Sequence, residues 1–191
     1  MIQKRTFEGV EISGNKSKIV AGDDNSQNNF FVSKKGKLSL LFESLKEKFE
    51  EDDKITRISD DLQRYKDGRD RISIEQKLKD ANREHLTEDF LWLKDQYFRK
   101  LTKYQFFEPA QEIHAFILGI VYERFRNIIY PLIRQNESEK VILSAMSEKI
   151  TAPIVNLIQE EGCDDIMGLS STEIEGMIHF LTGQCHIKWK L

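Results

Sequence analysis

The sequence predicts an all-α fold, a bundle of about seven helices with a short β-hairpin-like lead before it and a short strand closing it. Three observations predict this. Apolar residues recur at spacings of three and four from Leu38 to Leu181, the period of a helix face. Serine, threonine, glycine and proline divide that pattern into segments of helical length. Strict two-residue alternation occurs only near the two ends of the chain.

Residues 1–36 form the lead. Val10 and Ile12 precede one turn, and Ile19 and Val20 precede another. Ile12-Ser-Gly-Asn and Val20-Ala-Gly-Asp read as two copies of one strand–turn unit, eight residues apart. Two short strands alone are marginal in water. The unit is expected to dock on the body or to pair with its equivalent in another copy, giving a homo-oligomer. A flexible linker with incidental strand propensity is the other reading.

Residues 37–191 read as a helical docking domain. Leu38, Leu41, Phe42, Leu45 and Phe49 mark the first helix. Ile55, Ile58, Leu62 and Tyr65 mark a second, stopped at Asp67-Gly68. Ser73 opens a third with Ile74, Leu78 and Ala81, and Thr87 is the expected cap of a fourth carrying Phe90, Leu93, Tyr97, Leu101 and Tyr104. Glu108-Pro109 starts the fifth, whose wide apolar face from Ile113 to Ile129 marks it as central and which should halt before Pro131. Ser138 caps a sixth, kinked or split at Pro153 and ended by Gly162.

The seventh helix begins at Ser170, with Glu173 at capping-box spacing. Ile174, Met177, Ile178 and Leu181 make its stripe, and Gly183 stands where a helix end favours a left-handed residue. Beyond it Cys185, Ile187, Trp189 and Leu191 alternate with His186, Lys188 and Lys190, predicting a strand with one wet face. Trp189 is the expected anchor.

Composition narrows function. A net charge of −3 gives no general reason to bind nucleic acid. Two cysteines cannot form a disulfide framework and suggest a reducing compartment. The N-terminus lacks the apolar run of a signal peptide, and the polar residues interrupting Ile113 to Ile129 argue against a membrane span. A cytoplasmic protein fits.

No catalytic motif stands out. Gly9 to Ser17 misses the phosphate-loop pattern, because Asn15 separates Gly14 from Lys16 and no helix pattern follows. His179, Cys185 and His186 offer ligand chemistry but no fourth ligand, with Cys163 in an unrelated turn, and adjacency does not make Cys185 and His186 a dyad. Acidic pairs such as Asp60-Asp61 and Asp164-Asp165 read as solvated surface. His85 and His114 read as structural or surface histidines. Lys34, Lys35 and Lys37 beside Phe30 and Phe31, and Arg64 to Arg71 with Asp67 and Asp70 interleaved, are basic clusters; DNA binding through them is possible but not favoured. No enzyme activity, metal or cofactor is expected.

The segment Glu175-Gly-Met-Ile-His-Phe-Leu-Thr-Gly-Gln-Cys-His-Ile-Lys-Trp189 resembles the closing motif of C-terminal domains of ABC-three-component bacterial systems, which are anti-phage operons related to Lamassu. Glu175, Gly176, Met177, Phe180, Gly183, Cys185, His186 and Trp189 carry the likeness. It extends upstream to Leu78–Ala81, Leu101–Tyr104, Gln111–Ile113 and Pro131–Ile133. The chain departs at Gln184 and Lys188, where the family's motif usually has Asn and Arg. The resemblance implies an adaptor role, with an SMC-like ATPase, a middle component or an effector protein as partners.

Overall fold

The computed structural model describes residues 35–70, 72–162 and 165–191. The lead strands with Val10, Ile12, Ile19 and Val20, the aromatics Phe30 and Phe31, Arg71 and Cys163 lie outside the described residues.

The described part is helical. In order come α1 (Lys37–Glu50), α2 (Asp60–Lys66), α3 (Ile74–Asp80), α4 (Thr87–Tyr104), α5 (Glu108–Arg124), α6 (Tyr130–Arg134), α7 (Glu139–Met146), α8 (Ala152–Glu161) and α9 (Ser171–Gly183). A π turn at Phe125–Ile129 joins α5 to α6, and another at Ser147–Thr151 joins α7 to α8. Counting each joined pair as one rod leaves seven rods among the described residues.

Sequence and structure agree on several boundaries. Ser59, Ser73 and Ser138 each accept from the backbone N–H three residues on, at 3.3–3.4 Å. Ser170 and Glu173 form the reciprocal capping box. Three boundaries differ. The second helix starts at Asp60, because Ile55 to Ile58 is held instead by the Ile55 N–H donating to the Phe106 carbonyl at 2.8 Å. Thr87 is the first residue of α4 and caps nothing with its side chain; a 3₁₀ turn at Glu84–Leu86 leads into the helix. The fifth rod does not halt before Pro131 but runs through it to Arg134.

Pro131 and Pro153 use the same device. Each is the second residue of the α segment that follows a π turn. Proline removes one i→i−4 hydrogen bond and crowds the preceding turn. A widened π turn just before it accommodates both defects, so the rod continues without breaking.

The central element is α5. Ala110, Ile113, His114, Ile117, Leu118 and Val121 are all fully buried. Gln111 beside them is also buried, with its carbonyl accepting from the Ser59 N–H at 2.6 Å and its amide donating to the Arg57 and Gln105 carbonyls at 2.9 and 2.6 Å. It staples the loop before α2 to the core. The most extensive helix pair is α4 with α9, and α1 and α2 cover other faces of α5.

The rod Glu139–Glu161, 23 residues long, contains an 18-residue window with a mean hydropathy of 1.4. By length and composition it could cross a membrane. It packs Ile142, Met146, Ile150, Ile154 and Ile158 into the core, with Glu148 and Lys149 at its middle.

Residues 185–191 are not a strand. Part of the alternation survives: Ile187 and Trp189 are buried, while Lys188 and Lys190 are exposed. His186, expected on the wet face, is buried, and Leu191, expected inside, is exposed. No neighbouring strand supplies a ladder among the described residues. The Lys188 N–H donates instead to the Tyr130 hydroxyl at 3.1 Å, and the tail lies as turns across the helix ends.

Candidate interaction site at the C-terminal motif

The motif begins with a close helix crossing. A Cβ at Gly176 would lie 2.3 Å from the Leu93 carbonyl oxygen and 2.7 Å from the Tyr97 Cβ. Only glycine allows α9 so near α4. Met177 and Phe180 are both buried, with Phe180 edge-on to Tyr97 of α4 at 5.3 Å between ring centroids. His179 stacks on Phe90 at 3.6 Å. Burial lowers its pKa to about 3, and that of the equally buried His114 to about 3. Both rings are neutral packing groups at neutral pH. Glu175 is half-buried, which raises its carboxyl pKa.

The end of α9 corrects the role expected of Gly183. That glycine is the last helical residue, near the Lys94 side chain, and the left-handed residue is Cys185 at φ 61°. The Cys185 N–H donates to the Thr182 carbonyl at 3.1 Å, and the His186 N–H to the Leu181 carbonyl at 2.9 Å. These are the paired bonds of a Schellman cap, with cysteine where glycine is usual. Its thiol has work at that position: it reaches the Asp70 and Ile72 carbonyls at 3.3 and 3.5 Å and receives the Lys77 ammonium at 3.0 Å. Lys77 also donates to the Thr182 carbonyl. The cap therefore fastens the 70–72 segment and α3 to α9.

Trp189 closes the packing. It is 1% exposed, donates from Nε1 to the Thr182 hydroxyl at 3.2 Å, and lies against Phe90 and Phe125 at 5.1 and 5.7 Å. Beside it opens a cavity of about 600 Å³ between the 69–72 segment, α3, Tyr122, Tyr130 and the tail. The structure thus brings Cys185, His186 and Trp189 to one cavity wall, while Gly176 and Phe180 serve the α4–α9 contact, Met177 is buried in the core and Glu175 is half-buried.

No group of three or more His, Cys, Asp or Glu side chains that could hold a metal is found among the described residues. His179 is stacked away from Cys185 and His186 in the core. His85 pairs with Glu139 at 2.9 Å, and the basic residues Lys35 and Lys37 reach Glu43 and Glu112. Asp165 is not solvated surface: its half-buried carboxylate accepts from the N–H groups of Met167, Gly168 and Leu169 at 2.7–3.1 Å, and burial raises its pKa.

The model of C-terminal domain 9 of the ABC-three component systems matches residues 73–189, from the Ser73 cap of α3 to Trp189. The chain belongs to this family. Such a domain implies a component of a bacterial defence system made of several proteins. No curated protein and no solved structure matches the chain at a significant level.

Sequence reasoning missed Lys77, Tyr122 and Tyr130 as neighbours of the motif. They come from three separate helical segments, and no local spacing connects them.

Proposed function

We propose that the chain is a non-catalytic docking subunit of a cytoplasmic anti-phage system, working through protein–protein contacts with an SMC-like ATPase, a middle component or an effector. Membership in a C-terminal domain family of a multi-protein system carries this reading. A feature of the surface supports it. Trp92 and Phe98 stand 56% and 46% exposed on α4, the same helix that receives the family motif on its buried side. Large exposed aromatics on a rigid helix are favoured anchors of protein interfaces. The lead strands, pairing by their edges, would add self-association.

Co-expression with the products of the neighbouring open reading frames tests the proposal. A complex should co-purify, and Trp92→Glu should lower its affinity by at least about tenfold while leaving the helical circular dichroism unchanged. Failure of every neighbouring product to bind at micromolar concentrations would refute it.

A further inference from the structure

A buried amine and a buried thiol meet beneath the tail. Lys77 on α3 is 8% exposed, and Cys185 in the cap of α9 is 6% exposed. A buried lysine ordinarily has a carboxylate partner. The Lys77 ammonium has none among the described residues; it donates to the Thr182 carbonyl and, at 3.0 Å, to the Cys185 sulfur. The thiol in turn donates toward the Asp70 and Ile72 carbonyls at 3.3 and 3.5 Å, which turns the lone pairs of the sulfur to the ammonium.

Both groups are held in place. Lys77 stands inside α3, and the Cys185 N–H donates to the Thr182 carbonyl at 3.1 Å from its left-handed turn at φ 61°. Nitrogen and sulfur are thus fixed in contact, with no room for another atom between them. Both residues also line the cavity of about 600 Å³ beside Trp189, so a solute little larger than water has a route to them. Reactive thiols occupy such settings, next to a cation and at the edge of solvent, whereas inert structural thiols are sealed in apolar surroundings.

We propose that Cys185 and Lys77 form an oxidation-dependent covalent link, a sulfenamide, that locks α3 to the cap of α9. Hydrogen peroxide oxidises the thiol to a sulfenic acid and is itself reduced to water. The Lys77 ammonium gives one proton to solvent, and the resulting amine attacks the sulfur. The S–O bond breaks as the S–N bond forms, and the oxygen leaves as water with a second proton from the nitrogen. One peroxide is consumed, two waters are released and the chain loses two hydrogens. The residues stand 108 positions apart, so the bond closes a long loop, constrains the unfolded chain and holds the tail on the body. A small thiol reverses the link by attacking the sulfur. The pair is separate from the exposed aromatics of α4, so its fate and that of the docking proposal are independent.

Peptide mapping by mass spectrometry decides the matter, on the full chain treated with dilute hydrogen peroxide at neutral pH. A peptide pair joined through Lys77 and Cys185, lighter than its two parts by two hydrogens, should form and should vanish on treatment with dithiothreitol. Folding holds the two groups together, so the pair should be at least about tenfold more abundant than after the same oxidation in urea. Lys77→Arg keeps the cation and should stop the reaction at a sulfenic acid on Cys185, trapped by dimedone. The wild-type chain alone can overturn the proposal. It fails if Cys185 stays unoxidised, if it ends as a sulfenic or sulfinic acid with no linked peptide, or if it pairs with Cys163 instead. A link equally abundant in urea would also overturn it.

Discussion

The two halves of the C-terminal motif obey different constraints. Glu175 to Thr182 is an inward helix, in which every residue from Gly176 onward is buried and the contacts are shape-matched. Cys185 to Lys190 buries three residues in succession, then alternates exposed Lys188 and Lys190 with buried Trp189, and it borders a cavity. The first half can tolerate almost no change of volume, because interiors are packed to crystal-like density. The second half buries Cys185, His186, Ile187 and Trp189 and leaves the side chains of Lys188 and Lys190 exposed.

Acid should separate the halves most sharply. His179 in the packed half and His114 beneath it have folded pKa values near 3 against an unfolded value near 6.5. Between those limits the unfolded chain binds more protons. Stability is therefore complete above pH 6.5 and falls as pH drops toward 3, by up to roughly 4 kcal/mol per histidine. Urea unfolding at pH 7, 5.5 and 4 measures this, and His179→Phe, which keeps the stack on Phe90, should remove its share of the slope. A slope identical in both proteins would show that His179 is not neutralised by burial.

That contrast bears on what was legible in the sequence. The caps at Ser73, Ser138 and Ser170 were readable because each depends on a side chain and an amide three residues away. The core stripe of α9 was readable for the same local reason. The tail was misread as a strand because burial alternation is necessary but not sufficient: a strand also needs a ladder partner, which no local pattern supplies. Pro131 was misread because a π turn depends on tertiary packing around Phe125 and Ile129. The cavity was not legible at all, since Arg69, Lys77, Tyr122 and Tyr130 meet only after folding.

A smaller effect tests the packed half directly. Gly176→Ala places a methyl against the Leu93 carbonyl and should cost about 1–3 kcal/mol through overpacking, although alanine favours a helix by about 1 kcal/mol. Lys188→Ala, exposed in the other half, should stay within about 0.5 kcal/mol. Thermal unfolding of the two variants compares them. Equal melting temperatures would mean the halves are not mechanically distinct.

The smallest effect sits at the joint. Cys185 occupies a left-handed backbone conformation that costs a residue with a Cβ roughly 1–2 kcal/mol relative to glycine. Its thiol partly offsets this by reaching Lys77 and the carbonyls of Asp70 and Ile72. Cys185→Ala and Cys185→Gly lose the same thiol, so the difference between them isolates the backbone term. The glycine variant should be the more stable by about 1 kcal/mol, even though glycine loses more conformational freedom on folding. Chemical denaturation resolves a difference of that size when both variants share one m-value. An alanine variant as stable as the glycine one would mean that the tail can relax out of the left-handed turn. The Schellman cap would then be a preference of the tail and not what fastens the two halves together.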